Sequence, residues 1–250
     1  MAVKAITFDL WDTIVHDDSD EPKREAQGLR SKAAERRHLL WQALDRHGPI
    51  DKAAVDLAFD VQEAAFRKVW FQQSITWEVA DRLDVLLQGL GRTLPADDLA
   101  ALVRQYEEME LAVSPDLING AADVLADLST RYKLGVISDA IYSPGRCLRE
   151  LMARLSIKPY FQSFVFSDEA GRAKPDTATF EAAAAELGVD LSEMIHIGDR
   201  DSKDVQGPQA VGMKAILFTG SRDADTETTT ADAICRSYAD LPAAIARLAI

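Results

Sequence analysis

The chain has 250 residues, 47% hydrophobic and 28% charged, with 41 acidic against 28 basic side chains and a formal net charge of −13. That is enough apolar residue for a full core, and so acidic a chain repels nucleic acid and anionic membranes rather than binding them non-specifically. Two distant cysteines, Cys147 and Cys235, speak against a disulfide framework or a zinc site, and no apolar run approaches the roughly 20 residues of a membrane span. The expected setting is cytoplasmic, without a targeting segment, and the expected partner is a small-molecule substrate. The sequence does not speak to oligomeric state.

The first predicted strand is "VKAITF" (3–8), and it runs into Asp9. From about Asp17 to Asp116 the pattern is helical throughout. Apolar positions recur at helical spacing in "ERRHLLWQALDRHG", "VDLAFDVQEAAFRKVWF", "TWEVADRLDVLLQGLG" and "DDLAALVRQYEEME". About 100 residues is too long for a crossover helix. The reading is an inserted helical domain over 17–114, with an α/β domain formed by 1–16 and 115–250. Trp41, Phe59, Phe66, Trp70 and Trp77 are its expected core. "DDSDEPKRE" (17–25) reads as a solvated hinge, and Arg30, Lys32, Arg36 and Arg37 beyond it are candidates to meet an anionic leaving group.

After the insert, short apolar runs alternate with helical patterns. The strands are "KLGVIS" (133–138), "SFVF" (163–166), "MIHIG" (194–198) and "KAILF" (214–218). The helices are "GAADVLADLSTRY" (120–132), "CLRELMARL" (147–155) and "ATFEAAAAELG" (178–188), the last closing on Gly188 as a C-cap. The strands are mostly apolar rather than alternating, as in parallel strands covered on both faces. The fold class is therefore α/β, a doubly wound parallel sheet with an all-helical insertion. "DADTETTTAD" (223–232) reads as a surface loop.

Ligands of an open parallel sheet bind at the carboxyl ends of its strands. There the chain carries Asp9, then Ser138, then Lys174 in "SDEAGRAKPD", then Asp199 and Asp204 in "GDRDSKD". "FDLWDT", "VISDA", "AKPD" and "IGDRDSKD", in that order and each after an apolar run, resemble the four motifs of the haloacid dehalogenase superfamily, most of whose members are phosphatases. The insertion sits where that family carries a cap between motifs one and two. The resemblance implies Asp9 as nucleophile, Ser138 and Lys174 as phosphoryl-binding and catalytic groups, and Mg²⁺ held by Asp9, Asp199 and the Trp11 carbonyl. Asp204 would bind the ion through water or orient Lys174.

The chemistry of these residue types agrees. A carboxylate attacking phosphorus divides one hard displacement into two easier ones. Both partners are anionic, so a cation is needed. Mg²⁺ takes oxygen ligands, few of them protein carboxylates, and shares the rest with water and substrate phosphate. Lys174 adds a point charge. Asp201 and Lys203 read as solvated loop residues and His196 as a packed histidine, while His16, His38 and His47 show no ligand spacing.

Two positions depart from the family pattern. Most of its phosphatases carry an aspartate two residues after the nucleophile, as acid and then base; here that position is Trp11, and Asp12 follows. In an extended chain the side chains of residues 9 and 11 share a face and that of 12 points away, which makes Asp12 a poor substitute unless a turn intervenes. The second departure is Asp139, beside the phosphate, where asparagine is frequent. The leading expectation is a Mg²⁺-dependent hydrolase of a small phosphorylated metabolite, acting through an aspartyl phosphate. The alternatives are a metal-independent 2-haloacid dehalogenase, which also lacks the second aspartate, and a phosphate- or metabolite-binding protein without turnover.

Overall fold

The structure, a computed structural model, describes residues 2–249. Met1 and Ile250, the outermost residues of the expected α/β segments, lie outside them. In chain order the elements are β1 (Ala5–Phe8), α1 (Glu21–Ala26), α2 (Lys32–Arg46), α3 (Lys52–Gln73), α4 (Val79–Gly89), α5 (Ala96–Glu107), α6 (Met109–Ala112), α7 (Ala121–Ser129), β2 (Lys133–Ser138) and α8 (Gly145–Arg154). There follow β3 (Ser163–Phe166), α9 (Ser167–Ala170), α10 (Thr177–Leu187), β4 (Met194–Gly198), α11 (Gln206–Ala210), β5 (Lys214–Phe218), β6 (Ala233–Cys235) and α12 (Leu241–Leu248).

The six strands form one parallel sheet in the order β3-β2-β1-β4-β5-β6. β1 lies between β2 and β4, so the chain's order reverses around it and the ends of these three strands converge. The period of two sends Ile6 and Phe8 to one face and Ala5 to the other. The first face packs with Leu134, Val136, Ile195 and Ile197 under α7, α8 and α12, through Leu125, Leu148 and Ile245. The second packs with Ile137 and Met194 under α10, through Phe180, Ala183 and Leu187. Burial on both faces explains the unbroken apolar runs. Gly188 ends α10 in the left-handed conformation, φ +62°. β6 is the strand that periodicity missed: three residues at the sheet edge are too short to carry a pattern.

The helices α1–α6 lie between β1 and β2. The chain leaves and re-enters the sheet at one place, where His16 N donates to Asp116 O (2.9 Å) and Ile118 N to Ile14 O (2.9 Å). α2 and α3 start on caps, Ser31 Oγ accepting from Ala34 N and Asp51 Oδ1 from Ala53 N. Their apolar faces enclose a separate core of Leu40, Leu44, Val55, Phe59, Leu86 and Tyr106. Among the described residues no helix is long and apolar enough to cross a membrane.

Two expectations need correction. Of the five aromatic residues assigned to the insert's core, Phe59 is in it and Trp41 packs at its edge. Phe66, Trp70 and Trp77 instead form a cluster with Ala173 and Ile141, which belong to loops beyond β3 and β2. The stretch 17–25 is only partly solvated: Asp20 is buried and accepts from Lys32 Nζ at 2.8 Å, and buried Arg24 donates through Nε to Arg30 O. A charge enters the interior where a partner meets it.

Candidate active site

Five side chains from separated stretches meet at the carboxyl end of the sheet. Asp9 directly follows β1, and its backbone N–H is held by Ile197 O (2.8 Å). Asp199 follows β4, and Asp204 closes back on the same point from a wide helical turn over Asp201–Val205. Gly198 permits this approach, since a Cβ there would collide with the Asp204 side chain. Lys174 arrives from the loop after α9. Its Nζ donates to Asp9 Oδ1 (2.7 Å) and to Asp204 Oδ1 (2.5 Å), and the side chain is 2% exposed. Ser138, the last residue of β2, is buried with an Oγ that has no hydrogen-bond partner among the described residues.

One oxygen from each of Asp9, Asp199 and Asp204 lies within 4.8 Å of the others. Three buried carboxylates so close repel one another. Burial pushes the Asp9 carboxyl up to about 6; Lys174 opposes this and Asp204 adds to it. Burial, then repulsion from Asp204 and Asp9, raises Asp199 to about 8. Burial alone would raise Asp204 too, but Lys174 and the hydrogen bond from His196 outweigh it and hold that carboxyl well below the usual range. Asp204 is thus committed to Lys174, to His196 Nε2 (3.2 Å) and to Arg200 N (3.0 Å). Asp199 Oδ2 has no hydrogen bond among the described residues, and the Arg200 and Arg222 guanidinium groups approach only to 3.7 and 3.9 Å. A buried carboxylate oxygen left without a hydrogen bond, two converging acids and an all-oxygen donor set fit a hard divalent cation such as Mg²⁺.

His196 is packed, as expected, with Nδ1 2.9 Å from Thr7 Oγ1. Burial lowers its pKa, so the neutral ring donates from Nε2 to Asp204 and accepts at Nδ1 from Thr7. It therefore helps to orient Asp204.

The chain does not stay extended after Trp11. Asp12 is left-handed, φ +54°, and it lines the same small cavity, about 60 Å³, as Asp9 and Lys174. The turn expected only as an exception is present. Asp12 Oδ1 is nevertheless engaged, accepting from Ser221 Oγ (2.6 Å) and Asp17 N (3.2 Å). Trp11 is half-buried and lines this cavity and its larger neighbour.

Asp201 and Lys203 are buried, not solvated. Asp201 accepts from Gln206 Nε2 (2.7 Å), and its backbone N–H meets Asp225 of the 223–232 loop. Lys203 Nζ contacts Asp139 Oδ2 at 2.5 Å and sits 3.3 Å from the centre of the Trp70 ring. The negative charge that Asp139 brings is thereby matched. Sequence reasoning missed Lys203 because a lysine in a polar loop carries no local sign of burial, and it missed Trp70 because an aromatic on an amphipathic helix reads as core.

The larger neighbouring cavity, about 340 Å³, lies between the inserted helices and the sheet's loops. Lys32, Arg36, Tyr142 and Arg200 are among its lining residues, with Phe66 and Trp70. Of the four insert cations singled out in the sequence, Lys32 and Arg36 line this cavity. Arg30 and Arg37 pair elsewhere, with Glu35 and Asp60.

Compared with known families, residues 3–212 match the haloacid dehalogenase-like hydrolases. The chain belongs to that family. A phosphoglycolate phosphatase of Caulobacter vibrioides is 31% identical over 62% of this chain and 65% of its own length. A glyceraldehyde 3-phosphate phosphatase of Methanopyrus kandleri is 26% identical over 96% of this chain and 94% of its own. Among solved structures, a 2-haloacid dehalogenase from Pseudomonas syringae pv. Tomato superposes with a TM-score of 0.70 at 26% identity, covering 98% of this chain and 99% of that one. As a haloacid dehalogenase-like hydrolase, the protein places its acids and lysine at the ends of β1 and β4 and in the loops around them, where such a sheet binds ligands.

Proposed function

We propose that the protein is a Mg²⁺-dependent phosphohydrolase acting on a small phosphorylated metabolite. The observation that carries this reading is the trio Asp9, Asp199 and Asp204, within 4.8 Å of one another, with Lys174 Nζ bridging two of them. The phosphatase names of the relatives in Caulobacter and Methanopyrus support it.

In this reading an oxygen of Asp9 attacks phosphorus. The bond from phosphorus to the ester oxygen breaks, and the alcohol leaves with the electron pair and takes up a proton. Water then attacks the aspartyl phosphate, releasing phosphate and restoring Asp9. Lys174 offsets repulsion between carboxylate and phosphoryl group, and Ser138 Oγ donates to a phosphoryl oxygen. Asp9 and Asp199, with the Trp11 carbonyl, would hold Mg²⁺. When bound, the ion supplies Lewis-acid charge against the phosphoryl oxygens. Asp204 keeps Lys174 charged and aimed. Residues 17–114 act as a cap over an α/β domain of 1–16 and 115–250. The 340 Å³ cavity receives the leaving group, and Lys32 and Arg36 face that group.

A second reading, a 2-haloacid dehalogenase, is favoured by Trp11 in place of the second aspartate and by the 26% identical structure. There Asp9 would displace halide from carbon, with no metal and no proton for the leaving group. The three clustered carboxylates favour the first reading, because a metal-free site gains nothing from two further buried acids. A panel of phosphate esters and 2-haloacids, assayed with Mg²⁺ and with EDTA, separates them. Mg²⁺-dependent phosphate release is expected, whereas EDTA-resistant halide release would replace the first reading by the second.

A further inference from the structure

Asp139 is the meeting point of three donors from three parts of the chain. Its Oδ1 accepts from Lys174 N (2.9 Å). Its Oδ2 accepts from Lys203 Nζ (2.5 Å) and from the indole Nε1 of Trp70 (3.0 Å). Trp70 stands near the end of α3, in the helical insert, while the other three residues belong to loops of the sheet. Lys203 also lies over the Trp70 ring, 3.3 Å from its centre, a cation–π contact strengthened by burial. All four are less than 8% exposed. Nearby, Ala173 N donates to Ser74 O (2.7 Å), so the segment carrying Lys174 is tied to the insert on its other side as well.

We infer that Trp70 and Lys203 are positioning residues that couple docking of the helical insert to the placement of Lys174. The path is short. Trp70 and Lys203 fix one oxygen of Asp139; the other oxygen fixes the backbone of Lys174; Lys174 Nζ then reaches Asp9 and Asp204. A carboxylate held by two donors on one oxygen has little freedom to rotate, so its second oxygen presents a set position to the Lys174 amide. Neither residue needs to touch the reacting phosphorus. When the insert lifts away, Asp139 loses the indole N–H and Lys203 loses its ring, which loosens the Lys174 loop. The insert thereby switches the lysine into place when it closes.

The decisive variant is Trp70→Phe, which keeps an aromatic face for Lys203 and removes the N–H together with part of the indole; Trp77→Phe makes the same change of size without that hydrogen bond. Two readouts are needed. The first is amide hydrogen exchange of the peptide carrying Lys174, which needs no substrate. The expected result is exchange faster by about 10-fold or more at that amide, the scale of losing a hydrogen bond to a charged acceptor, with the melting temperature little changed. The second rests on the phosphohydrolase reading: kcat on a small phosphate ester falls about 10-fold while KM moves less than twofold. Trp77→Phe, in the same aromatic cluster, is the control and leaves both readouts at wild-type values; Lys203→Met reproduces both effects. Unchanged exchange at Lys174 in Trp70→Phe overturns the coupling. So does a parallel loss of activity and melting temperature without that exchange signal, since Trp70 would then be packing alone. If no phosphate ester is turned over by the wild type, the exchange result still decides the coupling, and only the phosphohydrolase reading falls.

Discussion

Lys174 Nζ lies 2.7 Å from Asp9 Oδ1, and the pair is buried at the end of the central strand. A carboxylate held this way is oriented and shielded from water, as the proposed nucleophile would have to be before substrate arrives. Asp9→Asn keeps the shape and removes the anion. Hydrolysis is expected to fall by on the order of 10⁴-fold or more, with the fold retained because Lys174 still has Asp204. Single-turnover kinetics on folded variant would show this, and residual turnover within about 10-fold of wild type would exclude Asp9 as the nucleophile.

Asp199 sits close to two like charges, and its Oδ2 makes no hydrogen bond among the described residues. Asp199→Asn relieves that repulsion, so in EDTA the variant is expected to melt higher than wild type. If the proposed Mg²⁺ site is right, wild type is expected to gain stability from the ion by binding linkage, about 2.7 kcal/mol at 100 times Kd, and the variant to need at least about 10-fold more Mg²⁺ for the same gain. Thermal melts across a Mg²⁺ titration test this. Equal Mg²⁺ responses in both proteins would remove Asp199 from the metal site.

In the proposed phosphohydrolase, Trp11 takes the position at which the family resemblance expects a general acid for the departing oxygen, a role worth about 10²–10⁴-fold. Acyl and aryl phosphates, whose leaving groups need no proton, are therefore expected to outrun alkyl phosphates. Trp11→Asp is expected to raise turnover of alkyl phosphates selectively. The left-handed turn at Asp12 gives a competing outcome, since Asp12 lines the same small cavity as Asp9. If Asp12→Asn cripples a wild type already brisk on alkyl phosphates, and Trp11→Asp brings no gain, then Asp12 supplies the proton. Freeing it would require breaking its bond from Ser221.

Cys147 and Cys235 are both buried and unpaired with each other, and burial raises each thiol to about 11. A thiol whose pKa is higher folded than unfolded favours the fold fully below the unfolded value, near 8.5, and loses that contribution as pH rises through the folded value. Stability is therefore expected to decline between about pH 9 and 11, with unfolding at pH 10 releasing up to about two protons from these thiols. The double variant Cys147→Ala/Cys235→Ala should show a shallower decline, whatever its absolute stability. At pH 8 the native wild type should resist a thiol reagent that labels it when unfolded. Rapid labelling of native protein would refute the buried, protonated assignment.

The sequence by itself determined five of the six strands and put the candidate site at their carboxyl ends. Four strand runs from "KLGVIS" to "KAILF" coincide with β2 to β5, because burial on both faces of a parallel sheet writes the same signature locally whatever the partners. Asp9, Ser138, Lys174, Asp199 and Asp204 were legible because each ends an apolar strand or lies in the loop after one, in the motif order that the family resemblance supplies, and topology brings strand ends together. What the sequence could not determine is which charges go inside. Lys203, Asp201 and Asp20 read as solvent-facing because polarity is local, whereas burial depends on a partner 12 to 64 positions away. The bend at Asp12 was equally hidden, since aspartate tolerates φ +54° without requiring it, and the contacts with Ser221 and Asp17 that accompany the turn come from other parts of the fold. Trp70 is the sharpest case. Its helical spacing fixed only that it would be buried; the docking of α3 against the loops of Asp139 and Lys203 decided that it would be buried beside the site, where its one polar atom finds an acceptor.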